Sequence, residues 1–260
     1  MNRETKKISG LPALAFWTAV WWIGAAMLDK PLLLPTPPQV LRCLGKLMAT
    51  SSFWQITFVS IGRILLGVVC AVALGTVLAV LTSRSRLLNT LIAPALTATQ
   101  ATPVASFTIL VLIWLDRDFV PVLICALMGL PVVWNSVTAG IRVTDPQLLE
   151  MAQVFRLTRW QTLKRIYVPS VMPFFRTACS SALGLGWKAG IAAEVLTVPR
   201  SSIGRMISES KLYLLTEELF AWTFLVILIS VLIEQLALYL LDKPSAAAKK
   251  RRNGTEEVGA

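Results

Sequence analysis

Long apolar runs alternate with short polar connections along this chain. Six runs dominate the pattern: Leu11–Leu28, Ile56–Thr82, Leu91–Leu115, Phe119–Ile141, Phe174–Val198 and Phe220–Leu241. Each is near or above the ~20 residues a helix needs to cross ~30 Å of hydrocarbon. The pattern predicts an all-α, polytopic membrane protein with about six transmembrane helices. The fifth run is the most interrupted, by Arg176, Lys188 and Glu194. The first follows a basic stretch and has the outline of a signal peptide. Its length, and Trp17, Trp21 and Trp22 as an interfacial belt, favour a retained helix.

The connections carry their own signals. Asp29–Gln55 holds Pro31, Pro35, Pro37 and Pro38, which predicts an extended stretch followed by a short amphipathic helix near Val40–Met48. Pro94 and Pro103 in the third run, and Pro121 and Pro131 in the fourth, each remove a backbone donor. Such kinks fit either ordinary bending or a lined pathway, because membranes tolerate freed carbonyls only where neighbours or water satisfy them. In the fifth run Ala178, Ala182, Gly186 and Gly190 recur every four residues, and Glu194 extends the row. A small-residue ridge of this kind packs helices closely, and it can also border a translocation path. Glu194 at membrane depth needs a partner, and Arg63 in the second run is the candidate.

One segment, Thr144–Pro169, is too polar for the membrane and too short for a domain. Asp145-Pro146 reads as an N-cap with proline at the first helical position. Leu148, Met151, Ala152 and Phe155 follow at helical spacing. Thr158 and Gln161 form a T-x-x-Q capping box for a second helix bearing Trp160, Leu163 and Tyr167, which Pro169 is expected to end. The result is a helix-turn-helix whose apolar face the loop cannot bury alone, which makes a docking surface. A DNA-reading helix-turn-helix shares the outline, but it needs a compact supporting domain, and here both ends run straight into spans.

Charge then orients the chain. Of its 260 residues 55% are hydrophobic and 15% charged, with a net charge of +11. With the six spans alternating, 15 basic residues collect on the side holding both termini and the helix-turn-helix, against seven on the other. The positive-inside rule places the former side in the cytoplasm and Cys43 outside it. The excess charge is thus an orientation signal and nucleic acid is not needed to explain it. The chain has no histidine and no CxxC pair, so no metal site and no cofactor is expected.

The run Glu150-Met151-Ala152, Arg156 and Ile166-Tyr167-Val168-Pro169 resembles the EAA loop of ABC importer permeases, whose pattern is E-A-A, three residues, G, nine residues, I-x-L-P. The nitrate/sulfonate/taurine type is most similar, through Asn135–Gly140, Pro173, Gly184-Leu185-Gly186-Trp187 and Ala192-Ala193-Glu194. The resemblance spans roughly Ser60 to Leu241. It departs at Met151, at Val168 and, most consequentially, at Arg156, where the family has a turn glycine.

The resemblance implies an ATP-driven importer permease that forms the translocation pathway, with Gly186, Gly190 and Glu194 along it. It implies a coupling loop of Glu150, Met151, Ala152, Phe155, Arg156, Trp160, Tyr167 and Pro169 that docks an ABC ATPase subunit. A second permease copy, a periplasmic solute-binding protein and membrane lipid complete the expected partners. The implied division is 1–55 (first helix and external loop), 56–241 (permease domain, coupling loop 144–169) and 242–260 (a disordered basic tail). No phosphate-cradling G-x-x-x-x-G-K-[ST] run is present, so nucleotide hydrolysis is expected in a separate subunit. A secondary transporter or channel would be expected to show inverted repeats or several intramembrane charges. An intramembrane enzyme would have to rest on Glu194, Lys188 or a serine, with no motif to organise them. Sulfonate, nitrate, bicarbonate and thiamine-precursor-like solutes all fit the resemblance.

Overall fold

The computed structural model describes residues 10–256 of the backbone, and side chains for 12–237 and 239. Every regular element among them is helical. In chain order they are α1 (Gly10–Leu28), α2 (Pro37–Met48), α3 (Ser51–Arg84), α4 (Arg86–Ala101), α5 (Val104–Leu112) and α6 (Val120–Arg142). Then come α7 (Pro146–Val154), the single turn α8 (Arg159–Thr162), a π-helical turn (Leu163–Tyr167), α9 (Val168–Thr197), α10 (Ile203–Leu212) and α11 (Thr216–Glu256).

By length and composition three helices can cross a membrane, in α3, α6 and the Thr216–Ala237 part of α11. The pair α4–α5 makes a fourth if it is one span, although it bends by 104°. The third apolar run is therefore two helices rather than one. Pro103 has no N–H to continue the ladder and holds Thr102 extended (φ −78°, ψ 127°). Pro94 and Pro131, in contrast, sit inside continuous helices. Pro121 lies in the first turn of α6, where its missing donor is an orphan anyway. The same logic corrects the first loop: α2 begins at Pro37, with the Thr36 N–H donating to Gln39 Oε1 at 2.8 Å.

α6 is the centre of the bundle, with 67% of its span buried against 33% for α3 and 17% for α11. It lies between two small-residue ridges. On α9 the ridge is Ala178, Ala182, Gly186 and Gly190. On α3 it is Gly67, Ala71, Gly75 and Ala79, also at four-residue spacing and all buried. A Cβ on Gly67 would stand 2.6 Å from the Val122 carbonyl oxygen, and one on Gly75 2.9 Å from that of Leu130. The two backbones approach to a distance that only these residues allow. α1 stands off this core with Leu14, Trp17 and Met27 exposed, touching it where Trp21 stacks on Phe220 at 5.9 Å. At the other end, α11 runs to Glu256, through most of the 242–260 segment expected to be a disordered tail. The run Ala246–Lys250 consists of strong helix formers.

Candidate functional site

The helix-turn-helix forms where the sequence places it. Asp145 Oδ1 accepts from the Gln147 N–H at 2.8 Å and starts α7. Thr158 and Gln161 exchange the reciprocal bonds of a capping box, at 2.9 and 3.3 Å. Between them Arg156 takes φ +50°. Its N–H donates to the Gln153 carbonyl at 3.0 Å, and the Leu157 N–H to that of Ala152 at 2.9 Å. Those two bonds define a Schellman turn with Arg156 at its left-handed residue, where glycine is usual. An arginine there stores ~1–2 kcal/mol of strain.

Two details differ from the sequence expectation. Ala152 is turned inward at 3% exposure rather than outward. Its carbonyl closes the turn, and its small side chain lets α7 lie down. The second helix also does not end at Pro169. Pro169 cannot donate to a carbonyl four residues back, so the preceding turn widens and the Val168 N–H bonds to Leu163 five residues back. The helix then continues into α9 without a break.

The outward face is apolar: Val154 is 78% exposed, Phe155 and Trp160 70% each and Met151 46%, with Glu150 exposed beside them. Val154 was not among the residues expected on this face, although it lies three positions after Met151, at helical spacing. Leu163 and Tyr167 instead line a cleft of about 410 Å³ shared with Val80 and Arg84 of α3 and Ile141 of α6.

At the far end of α9 lies a second constellation. Glu194 is fully buried, and its Oε1 receives Arg63 Nη1 at 2.8 Å. Its Oε2 accepts from Ser60 Oγ at 2.9 Å and from the Gly204 N–H at 3.2 Å. The Ile203 N–H donates to Ser60 Oγ at 2.8 Å. Arg63 also reaches Asp118 at 3.7 Å and the Arg200 carbonyl at 3.2 Å. The Arg200 N–H in turn donates to Asp118 Oδ1 at 2.7 Å. The expected Arg63–Glu194 pair is thus the centre of a latch that ties α3, α9, the α5–α6 connection and the start of α10 together. Ser60, Asp118 and Gly204 escaped the sequence reading. The signal available for the last was Ser202, which caps α10 by accepting from the Arg205 N–H at 3.0 Å. A side chain on Gly204 would collide with Glu194. The chain entering α10 is strained, with positive φ at Val198 and Ser201.

The ridge residues Gly186 and Gly190 face into the bundle. A Cβ on the first would come 2.6 Å from Val68 Cγ2, and one on the second 2.6 Å from Cys125 Sγ. The latch and the ridge hold the bundle together from within, and the helix-turn-helix reaches out of it. Among the described residues no cluster of His, Cys, Asp and Glu is arranged to hold a metal.

Residues 64–243 match the model of the binding-protein-dependent transport system inner membrane components. The chain belongs to that family. The taurine transport system permease protein TauC of Escherichia coli (strain K12) is 27% identical over 85% of this chain and 82% of its own. The putative aliphatic sulfonates transport permease protein SsuC of Bacillus subtilis (strain 168) is 26% identical, covering 81% and 76%. The riboflavin transport system permease protein RibX of Chloroflexus aurantiacus is 28% identical, covering 76% and 75%. A crystal structure of an amino acid ABC transporter with histidines superposes with a TM-score of 0.56 at 17% identity, over 74% of this chain and 90% of that one. The fold of the binding-protein-dependent permeases is therefore the fold seen here. Membership implies an inner-membrane location, with a separate ATPase and a solute-binding protein as partners.

Proposed function

We propose that this chain is the permease subunit of an ATP-driven importer, that it pairs with a second copy of itself in lipid, and that its helix-turn-helix is the coupling loop. The observation that carries this reading is the apolar knob of Met151, Val154, Phe155 and Trp160, which stands outside the bundle. Arg142, Arg156, Arg159, Lys164 and Arg165 flank it along the chain, and by the positive-inside rule they argue for this end and both termini in the cytoplasm. Glu150 sits beside the knob, where a basic group on the ATPase rim would meet it. Arg156, Tyr167 and Pro169 shape the loop and join it to α9. The permease domain is taken as 56–241, with 1–55 and 242–260 flanking it. Gly186, Gly190 and Glu194 act along the pathway by setting the helix spacing and the latch behind its wall.

Truncating a buried anchor in such an interface costs ~2 kcal/mol or more, about thirtyfold in affinity. The test is a Phe155→Ala, Glu150→Lys double variant expressed with its ATPase. It should insert at normal levels, lose the ATPase on purification and lose transport. Normal co-purification together with normal transport would overturn the reading.

A further inference from the structure

α9 has two faces of opposite character. Its small-residue ridge is closed by α3 and α6, as described. Thr177, Ser181, Lys188 and Ala192 are exposed, and the exposed Leu185 and Leu196 border these four along one edge. At 100° per residue these four fall within about 60° of one another, and about 130° around the helix from the ridge. Lys188 lies about 14 Å short of Thr197 at 1.5 Å per residue, within the depth of the bundle. It makes no ion pair among the described residues, and the carboxylate nearest in sequence, Glu194, is engaged by Arg63. The central helix α6, packed along α9, leaves Asn135 and Ala139 uncovered, so its open strip is also partly polar.

A stripe of two hydroxyls and an ammonium is a poor surface for lipid, and an ionisable group at this depth faces a wet cavity or a protein partner. We propose that the Thr177–Ser181–Lys188 stripe lines the translocation pathway, and that Lys188 is the group selecting solutes with an anionic head, a sulfonate or carboxylate, over neutral or cationic ones. This rests on the permease reading above and sharpens it. The stripe offers hydroxyl and ammonium donors and no acidic side chain, which suits oxyanion oxygens.

The test uses the full chain assembled with its ATPase, carrying Ser181→Cys, with the parent chain as blank for its own cysteines. Two membrane-impermeant thiol reagents of equal size are compared, an anionic ethylsulfonate methanethiosulfonate and its cationic trimethylammonium counterpart. Both should modify Cys at 181. The anion-to-cation rate ratio should fall about fourfold or more on adding Lys188→Gln, as expected for one charge about 10 Å away in a largely aqueous space. Lys188→Arg should hold the ratio. A site closed to both reagents, as lipid or the second copy would leave it, overturns the pathway assignment. A ratio unmoved by Lys188→Gln overturns the selectivity role. Retained ATPase co-purification in the same samples separates either failure from failure of the permease reading.

Discussion

Removing Arg63 should be among the most damaging single changes outside the coupling loop. Glu194 is fully buried, and its Oε1 has Arg63 as its partner while its Oε2 is held by Ser60 and Gly204. Arg63→Met leaves a buried carboxylate without its counter-charge, which costs ~3–5 kcal/mol. At ~2–4 °C per kcal/mol for a chain of this size, the unfolding midpoint should fall by about 10 °C. Glu194→Gln alone should cost less, because Gln still accepts from Ser60 and Gly204 while Arg63 keeps Asp118 and the Arg200 carbonyl. The Arg63→Met, Glu194→Gln double variant should recover much of the first loss, giving a coupling energy of ~2 kcal/mol. A charge swap would be a poor test, since an arginine at 194 would face the N–H of Gly204 with donor against donor. The assay is the tryptophan-fluorescence melt of purified protein for the four members of the cycle. Losses that add within ~0.5 kcal/mol would refute the latch as a coupled unit.

Other changes follow from the same geometry. Arg156→Gly should relieve ~1 kcal/mol of left-handed strain and slow hydrogen exchange of the Leu157 amide about fivefold; faster exchange would contradict the Schellman turn. Gly204→Ala should cost ~1–3 kcal/mol by driving α10 off Glu194, while Gly184→Ala, with open space around its Cβ, should be neutral or slightly stabilising; equal melts would exclude the difference. Burial pushes the Cys43 thiol above its ordinary range, with Glu218 and Glu217 adding to the shift and Lys46 opposing it. Less thiolate is then present at any given pH, so alkylation of Cys43 should still be rising at pH 9, and a plateau below that would contradict the shift. An impermeant reagent should reach Cys43 in intact spheroplasts, and labelling only after lysis would invert the orientation.

What could be read from the sequence was whatever depends on neighbours along the chain. The Asp145 cap and the Thr158–Gln161 box are local, and they formed as spelled; the apolar runs are helical, although the third is broken in two. The Arg63–Glu194 pair was legible because burying a charge forces a search for its opposite, and few candidates lie at membrane depth. The prolines were not legible in the same way. Pro94 and Pro131 ride inside helices, Pro103 breaks one, and Pro169 widens the turn before it, although each carries the same chemistry. The outcome depends on which neighbour satisfies the freed carbonyl, and that is a tertiary fact. α10 was missed although its Ser202 cap is local; what positions the helix, the Ile203 N–H on Ser60 and the Gly204 N–H on Glu194, joins segments far apart in sequence or across a turn. The α3 ridge of Gly67, Ala71, Gly75 and Ala79 was present in the sequence, but nothing there indicated that α6 would be the helix pressed against it.

The π turn before Val168 has a mechanical consequence. It joins the second helix of the helix-turn-helix to α9 without a break, and α9 alone is a rod of 30 residues, about 45 Å long at 1.5 Å per residue. A partner that pushes on Phe155 therefore works on the handle of a crank whose other end is clamped at Glu194.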